Sequence, residues 1–175
     1  MIRMSDKHPE RKTVFATPWF QVQEAATGGK FPNYSINSPD FVCIIAVTEK
    51  NELLLVRQFR HAVAEMTLEL PAGHVEKDET PEESARKELL EETGHVAEKF
   101  ELLASLSPST SRFTNRMWCY FAANARPAPG AEIEAGLNCV RWPKDLKTLM
   151  QEPEFYSCGN WAALMAAVAQ GKLKV

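Results

Sequence analysis

A short acidic helix with clear start and stop signals is the feature that most constrains this chain. Thr80 can act as the N-cap, Pro81 occupies the first helical position, and Glu83 completes a capping box with Thr80. Gly94 is the residue type that commonly ends a helix in a left-handed conformation. Because nothing between these signals breaks the helical pattern, the sequence predicts a helix that begins at Thr80 and ends before Gly94.

The predicted helix carries three carboxylates on one face. Glu88, Glu91 and Glu92 stand at positions i, i+3 and i+4, which places them within about one turn of each other. Like charges at this spacing repel, and a glutamate-rich face is often simply solvated. The alternative is a site for a hard divalent cation, because Mg²⁺ takes oxygen ligands and binds carboxylates together with a substrate phosphate. The helix alone leaves both interpretations open.

Apolar runs of strand length surround this helix and predict an α/β (α+β) fold. The predicted strands are 41–47, 52–57, 67–72, 100–106, 117–122 and 137–142, and the further helices are 143–150 and 160–170. A stretch rich in Pro, Gly and Ala at 124–136 is typical of a loop. Short alternating segments between residues 12 and 34 predict an antiparallel hairpin. We therefore expect an N-terminal hairpin element over residues 1–40 and a main domain over residues 41–175.

Composition and charge argue against several classes of function. Hydrophobic residues make up 45% of the 175 residues, which is enough for a compact core. The formal net charge is -3, so no basic field attracts nucleic acid, and no apolar run reaches the roughly 18 residues of a membrane span. We expect a cytoplasmic protein without nucleic-acid or membrane partners, with residues 1–12 disordered. Four scattered cysteines without a CxxC pair predict buried free thiols.

The residues around the acidic helix resemble the signature of the Nudix hydrolases. The matching sequence is Gly73, five residues, Glu79, seven residues, Lys87-Glu88-Leu89, one residue, Glu91-Glu92, one residue and Gly94. Lys87 replaces the arginine usual in the family, and His95 replaces an aliphatic residue and is expected either to pack or to be solvated at the helix end. The resemblance implies the Nudix fold, a mixed β-sheet sandwiched between helices, and an enzyme that cleaves a nucleoside diphosphate linked to another moiety.

A metal site is part of what this resemblance implies. Mg²⁺, with Mn²⁺ as the alternative, would be held by the carboxylates of Glu88, Glu91 and Glu92 and by the backbone carbonyl of Ala72. A calcium-binding EF-hand is excluded as an explanation of the acidic stretch, because the alternating Asp and Asn ligands and the central glycine are missing.

The resemblance also implies the catalytic residues. Glu92, or Glu134 in the predicted loop, would accept a proton from the attacking water. Glu132 is the second candidate in that loop, and either loop glutamate has the alternative of a purely solubilising role. Glu79 would orient the helix glutamates through Lys87.

Two further motifs, Val56–Arg60 and Glu69–Gly73, resemble the branch of the family that contains the ADP-ribose and nucleoside diphosphate sugar pyrophosphatases. This resemblance implies that Arg57 and Arg60 bind the diphosphate, with Arg57 as the stronger candidate. A guanidinium fork suits that task. The alternative is that both arginines pair with glutamates on the surface.

Residues of the flanking segments would complete the substrate site in such relatives. Trp19 and Tyr34 would sandwich the nucleobase, with hairpin packing as the alternative role, and Arg112 and Arg116 would reach phosphate or sugar. The N-terminal hairpin would also mediate a homodimer. Thr110 and Ser111 stand where a proline and a glycine are usual, which favours a nucleoside diphosphate sugar other than ADP-ribose.

Two alternative functions follow from the same residues. One is a Nudix enzyme that acts on GDP-mannose or on dinucleotides. The other is a non-catalytic Nudix-fold module that binds a nucleotide sugar, which would be marked by loss of the signature carboxylates, and these are all present.

Overall fold

The computed structural model describes residues 10–174, which form two compact units. One unit comprises residues 10–39 and 107–116, and the other comprises residues 40–106 and 117–174. The disorder predicted for residues 1–12 falls mostly outside the described range. It is wrong for Arg11 and Lys12, which lie in the first strand.

The small unit is a three-stranded antiparallel sheet. Its strands are β1 (Arg11–Ala16), β2 (Gln21–Ala25) and β3 (Asn33–Asn37), in the order β1-β2-β3. The predicted N-terminal antiparallel hairpin is therefore confirmed, with one further strand. Residues 107–116 join this unit through the backbone of Ile36, whose N–H donates to the Arg112 carbonyl at 2.6 Å and whose carbonyl accepts from the Thr114 N–H at 3.0 Å.

The large unit is built on a mixed sheet. Its strands are β4 (Phe41–Thr48), β5 (Glu52–Arg60), β6 (Glu65–Glu69), β7 (Ala72–His74), β8 (His95–Val96), β9 (Phe100–Leu106), β10 (Met117–Pro127) and β11 (Asn138–Pro143). The central path runs β11-β5-β4-β10-β8, while β6, β7 and β9 pair with β5, β4 and β10. The β4–β10 pair is parallel and the other pairs are antiparallel.

Helices cover both faces of this sheet. They are α1 (Pro81–Thr93), α2 (Leu146–Leu149) and α3 (Cys158–Ala169). Because side chains alternate along a strand, Ile44 of β4 packs in the core layer of α1 with Leu89, whereas Ile45 packs in the layer of α3 with Leu164. All four side chains are fully buried. The predicted mixed sheet sandwiched between helices is therefore confirmed.

Several element boundaries differ from the sequence predictions. The stretch predicted as a loop from residue 124 begins as strand, because β10 continues to Pro127 and pairs with the unpredicted strand β8. The helix predicted at 143–150 is shorter, because Pro143 still pairs in β11 and Asp145 caps α2 through the N–H groups of Lys147 and Thr148. No helix within residues 10–174 is long and apolar enough to cross a bilayer.

Candidate active site

Helix α1 carries the candidate site, and its two ends are fixed as the sequence predicts. Thr80 is the N-cap and accepts from the Glu83 N–H at 3.3 Å, while the Glu83 carboxylate accepts from the Thr80 N–H at 2.8 Å. Gly94 ends the helix with φ of 67°, and its N–H donates to the Leu90 carbonyl at 2.8 Å. These caps fix which residues of α1 face the sheet.

Glu88 packs directly on the backbone of Gly73 in β7. A Cβ atom at position 73 would lie 2.0 Å from the Glu88 Cδ atom and 2.0 Å from Oε1, so any side chain here would displace the Glu88 carboxylate. Gly73 pairs with Val42 of β4, so the sheet fixes its position. The glycine of the signature therefore leaves the space in which the Glu88 carboxylate lies against the strand backbone.

Glu92 is the buried carboxylate of the group, with 6% of its surface exposed. Its Oε2 atom accepts a hydrogen bond from the Ala72 N–H at 2.8 Å, which ties α1 to the start of β7. Ala72, predicted as a carbonyl ligand of the metal, therefore lies beside Glu92. Glu91 is exposed one residue earlier on the helix.

Burial raises the pKa of Glu92 to about 8 and that of Glu88 to about 7. Repulsion among neighbouring carboxylates adds to this effect. Glu91 raises the pKa of Glu88, Glu88 raises that of Glu92, and Glu134 raises both. The Ala72 N–H and the charge of Arg60 act in the opposite direction on Glu92. Burial and mutual repulsion thus outweigh the nearby positive groups, so the carboxyl groups of Glu88 and Glu92 are harder to ionise than exposed ones.

The segment that carries Glu134 is attached to the end of α1. The Glu134 N–H donates to the Glu91 carbonyl at 2.9 Å, and the Ala128 N–H donates to the Gly94 carbonyl at 2.9 Å. These bonds bring the Glu134 carboxylate within electrostatic range of Glu88 and Glu92. The backbone bond to Glu91 belongs to Glu134 and favours it over Glu132 as the loop glutamate of the site, although its catalytic role stays a prediction.

Glu79 lies in the loop before α1 and contacts the helix at two points. Its Oε2 atom accepts from the Ser84 hydroxyl at 2.7 Å, and its Oε1 atom lies 3.6 Å from the Lys87 Nζ atom. Glu79 is expected to orient the helix glutamates through this contact with Lys87, and that role stays a prediction. His95 is buried after the helix end, with Nδ1 2.6 Å from the Thr93 carbonyl, so of the two expected environments it packs and is not solvated.

Arg57 and Arg60 lie on opposite faces of β5. Leu55 belongs to the core layer of α3 and Leu54 to the layer of α1. The register between β5 and β6 is regular, so alternation carries Arg57 to the α3 face and Arg60 to the α1 face.

The partners of the two arginines agree with this assignment. The Arg57 Nε atom donates to Glu154 Oε2 at 2.7 Å, in the segment that leads into α3. Arg60 lies close enough to Glu92 for its charge to lower the pKa of that carboxyl. The structure therefore brings Arg60 to the carboxylates and leaves Arg57, expected to be the stronger candidate, paired on the other face of the strand.

The four other predicted substrate residues belong to the small unit. Trp19 is 71% exposed, and the Tyr34 hydroxyl donates to Glu24 Oε2 at 2.8 Å. The Arg112 Nη1 atom donates to the Tyr34 carbonyl at 3.4 Å, and Arg116 is exposed. Their roles in substrate binding stay predictions.

The donor chemistry of the site fits a hard divalent cation. Glu88, Glu91, Glu92 and Glu134 offer oxygen atoms only, and a shared cation would relieve the repulsion among their carboxylates. Within residues 10–174, no three His, Cys, Asp or Glu side chains converge closely enough to hold an ion as they stand. An ion would therefore have to draw the carboxylates together.

Sequence analysis missed two residues beside the site, Thr67 and Glu69 of β6. Both lie on the α1 face, and both hydrogen-bond within a cluster that includes Arg60. The alternation of Glu69 with the buried Leu68 and Leu70 was the available signal, because it places the glutamate on the face opposite two core residues.

Known proteins with similar sequences point to one family for this chain. The NUDIX domain matches residues 37–172. The ADP-ribose pyrophosphatase of Bacillus subtilis (strain 168) is 38% identical over 74 residues, which cover 42% of this chain and 40% of that protein. The ADP compounds hydrolase NudE of Escherichia coli (strain K12) is 30% identical over 126 residues, 70% of this chain and 67% of that protein.

A solved structure extends the similarity over nearly the whole chain. The crystal structure of an ADP compounds hydrolase superposes with a TM-score of 0.77 at 25% identity and covers 97% of this chain and 100% of that one. The chain spans only about two fifths of the length of the first curated relatives that it matches. The matched domain, the carboxylate face of α1 and the shared fold together show that this chain belongs to the Nudix hydrolase family.

Proposed function

We propose that the chain is a Mg²⁺-dependent pyrophosphohydrolase of nucleoside diphosphate sugars related to ADP-ribose. It would release a nucleoside monophosphate and a sugar phosphate. The observation that carries this proposal is a pair of carboxylates held against β7, the half-buried Glu88 against Gly73 and the buried Glu92 on the Ala72 N–H. Carboxylates this close together and this far from solvent resist ionisation unless a cation shares the site.

The residues that would hold the cation are Glu88, Glu91 and Glu92 with the carbonyl of Ala72. Mg²⁺ is the proposed ion and Mn²⁺ the alternative, since both suit oxygen ligands. When bound, a divalent ion supplies Lewis acidity toward the diphosphate and toward the attacking water.

The remaining chemistry belongs to side chains of the chain itself. Glu134 is the proposed acceptor of the water's proton, because the bond from its N–H to Glu91 fixes it at the end of the carboxylate face. Arg60 would bind the diphosphate from the same face of the sheet, where its charge offsets that of the phosphates. Glu79 would maintain the orientation of α1 through Lys87.

The small unit is proposed to contribute the base-binding aromatics and a dimer contact. Trp19 and Tyr34 are exposed and able to stack on a nucleobase. Val14, Phe15 and Phe31 of the same unit are also exposed. Exposed apolar side chains of this number commonly mark an interaction surface, which supports a homodimer through the N-terminal sheet.

A cytoplasmic location is supported by the state of two cysteines. Cys43 and Cys119 are direct neighbours on the paired strands β4 and β10, and both are buried free thiols. Buried cysteines that serve as small apolar core residues, without a disulfide, fit a reducing compartment.

A substrate panel tests the proposal. Purified protein would be incubated with ADP-ribose, other ADP-sugars, GDP-mannose, UDP-sugars and dinucleotides, each with Mg²⁺ or Mn²⁺, and released monophosphate would be measured. We expect turnover of at least one nucleoside diphosphate sugar and a loss of about 10²-fold or more in Glu92→Gln.

Two results would overturn this proposal. Equal turnover by Glu92→Gln would contradict the assignment of the carboxylate face. Binding of nucleotide sugars by calorimetry without hydrolysis under any metal condition would instead identify a non-catalytic binding module.

A further inference from the structure

Glu69 and Thr67 form a polar cluster with Arg60, and the reaction described above uses neither of them. The Arg60 Nε atom donates to Glu69 Oε1 at 2.9 Å, and the Arg60 Nη2 atom donates to Glu69 Oε2 at 2.7 Å. The Thr67 hydroxyl donates to the same Oε1 atom at 2.6 Å. One edge of the guanidinium is therefore held by a carboxylate that a third residue fixes in place.

The cluster leaves the other edge of Arg60 available. A guanidinium presents two forked edges, one formed by Nε and Nη2 and the other by Nη1 and Nη2. Within the part of the chain that the structure describes, the hydrogen bonds of the Arg60 guanidinium all go to Glu69 through the first edge. The Glu69 side chain is 13% exposed and that of Arg60 is 43% exposed, so the held edge is buried and the guanidinium still reaches solvent.

The cluster of Arg60, Glu69 and Thr67 lies on the face of the sheet that carries the candidate site. Thr67 and Glu69 lie opposite Gln58 and Val56 in the β5–β6 register, on the same face as Arg60. That face is the one covered by α1, and Arg60 acts electrostatically on Glu92. The free edge of Arg60 is thus the part of this cluster that can meet an anion beside the carboxylates.

We propose that Glu69, fixed by Thr67, is a positioning residue that holds the outer fork of Arg60 ready for the diphosphate. This inference rests on the proposed function and adds a residue pair to it. A lysine at position 60 would not reproduce the arrangement, because an ammonium has no second fork once it pairs with Glu69.

The direction in which KM changes when Glu69 is neutralised distinguishes a positioning role from a purely electrostatic one. Glu69 is a negative group near a site for an anionic substrate, so on charge alone its neutralisation would tighten substrate binding. If Glu69 positions Arg60, neutralisation frees the guanidinium and weakens binding. The two accounts therefore predict opposite changes in KM.

The test compares Glu69→Gln and Thr67→Val with Glu154→Gln as the matched control. Glu154 pairs with Arg57 at 2.7 Å on the opposite face of the same strand, so its variant breaks a similar ion pair away from the carboxylates. In Glu69→Gln we expect KM to rise about five- to tenfold with kcat within about twofold, and in Thr67→Val a rise of about two- to threefold. Glu154→Gln should leave KM unchanged, and thermal unfolding would confirm that each variant folds.

A double variant gives the second readout. In an Arg60→Lys background, Glu69→Gln should raise KM no further, because the residue that it positions is gone. An unchanged or lowered KM in Glu69→Gln, or an additive rise in the double variant, would overturn the inference.

Calorimetry with inorganic pyrophosphate and Mg²⁺ keeps this inference separate from the proposed function. If the wild-type protein cleaves no diphosphate yet binds pyrophosphate more tightly than Glu69→Gln, the proposed function fails and the positioning role stands. If the two proteins bind pyrophosphate equally, the positioning role fails whatever the activity.

Discussion

The carboxylate of Glu92 accepts a hydrogen bond from the backbone N–H of Ala72 at 2.8 Å, across 20 positions of sequence. This contact joins the acidic helix to the strand that precedes it. Because one oxygen of Glu92 is held by the backbone, the other is the atom left for chemistry. The contact explains how a glutamate can be buried in this fold and still serve a site.

Glu92→Gln should stabilise the metal-free protein at alkaline pH. The pKa of Glu92 lies near 8 in the folded state, above its ordinary value of 4.5, so folding retains a proton that the unfolded chain releases. Stability is therefore lost as pH rises from about 4.5 to about 8, at a cost on the order of 2–4 kcal/mol. Urea unfolding with EDTA should show a smaller loss of unfolding free energy between pH 5 and pH 8 in the variant.

Added Mg²⁺ should reverse this loss of stability in the wild-type protein. A cation at the carboxylates should restore the unfolding free energy of the wild-type protein at pH 8 and have little effect on Glu92→Gln. Glu91→Gln, at an exposed position, is the control for loss of charge alone and should not raise metal-free stability by more than about 0.5 kcal/mol. Equal pH profiles for wild type and Glu92→Gln would contradict the burial argument.

Gly73→Ala should destabilise the fold and inactivate the site together. The new Cβ atom would meet the Glu88 carboxylate at 2.0 Å, so the Glu88 side chain must turn away from β7 and leave its place in the site, at a cost of about 1 kcal/mol. Gly29→Ala is a suitable control, because its Cβ atom would meet nothing closer than Thr27 Oγ1 at 3.4 Å. Denaturation midpoints and kcat would be measured for both.

A second substitution tests the cause of that effect. Combining Gly73→Ala with Glu88→Ala removes the clashing carboxylate, so stability should recover while activity does not. A double variant as unstable as Gly73→Ala alone would show that some other feature of β7 requires the glycine.

Glu134→Gln should lower kcat by about 10²-fold, because it removes the proposed proton acceptor while its backbone bond to Glu91 remains. Glu132→Gln, in the same loop, should stay within about twofold of the wild-type kcat. Steady-state kinetics on the best substrate of the panel would compare the two. A larger loss in Glu132→Gln would reverse the assignment.

Thr80→Ala should cost about 1 kcal/mol of unfolding free energy, because it removes the N-cap of α1 and opens the capping box with Glu83. Thr80→Ser keeps the capping hydroxyl and should be close to wild type. The carboxylates lie more than a turn from the cap, so kcat of Thr80→Ala should change by no more than about twofold. Urea unfolding and steady-state kinetics on the three proteins would measure both effects.

The amino-acid sequence by itself determined the helix and its motif. Thr80, Glu83 and Gly94 define α1 because capping depends on residues a few positions apart, and apolar runs such as 41–47 predict strands for the same local reason. The spacing from Gly73 to Glu92 also identified the family, since the loop and the helix that carry it are continuous in the chain.

Only the tertiary structure decided which side chains share a face with the carboxylates. Arg57 and Arg60 have odd spacing on a strand and must point apart, but the packing of α1 and α3 decides which of them meets Glu92. The hydrogen bond from Glu134 to α1 and the one from Arg60 to Glu69 likewise join different segments of the chain. No local sequence pattern predicts that these segments come together. These contacts arise when the sheet assembles, so they follow from packing between distant residues and not from the propensities of neighbouring ones.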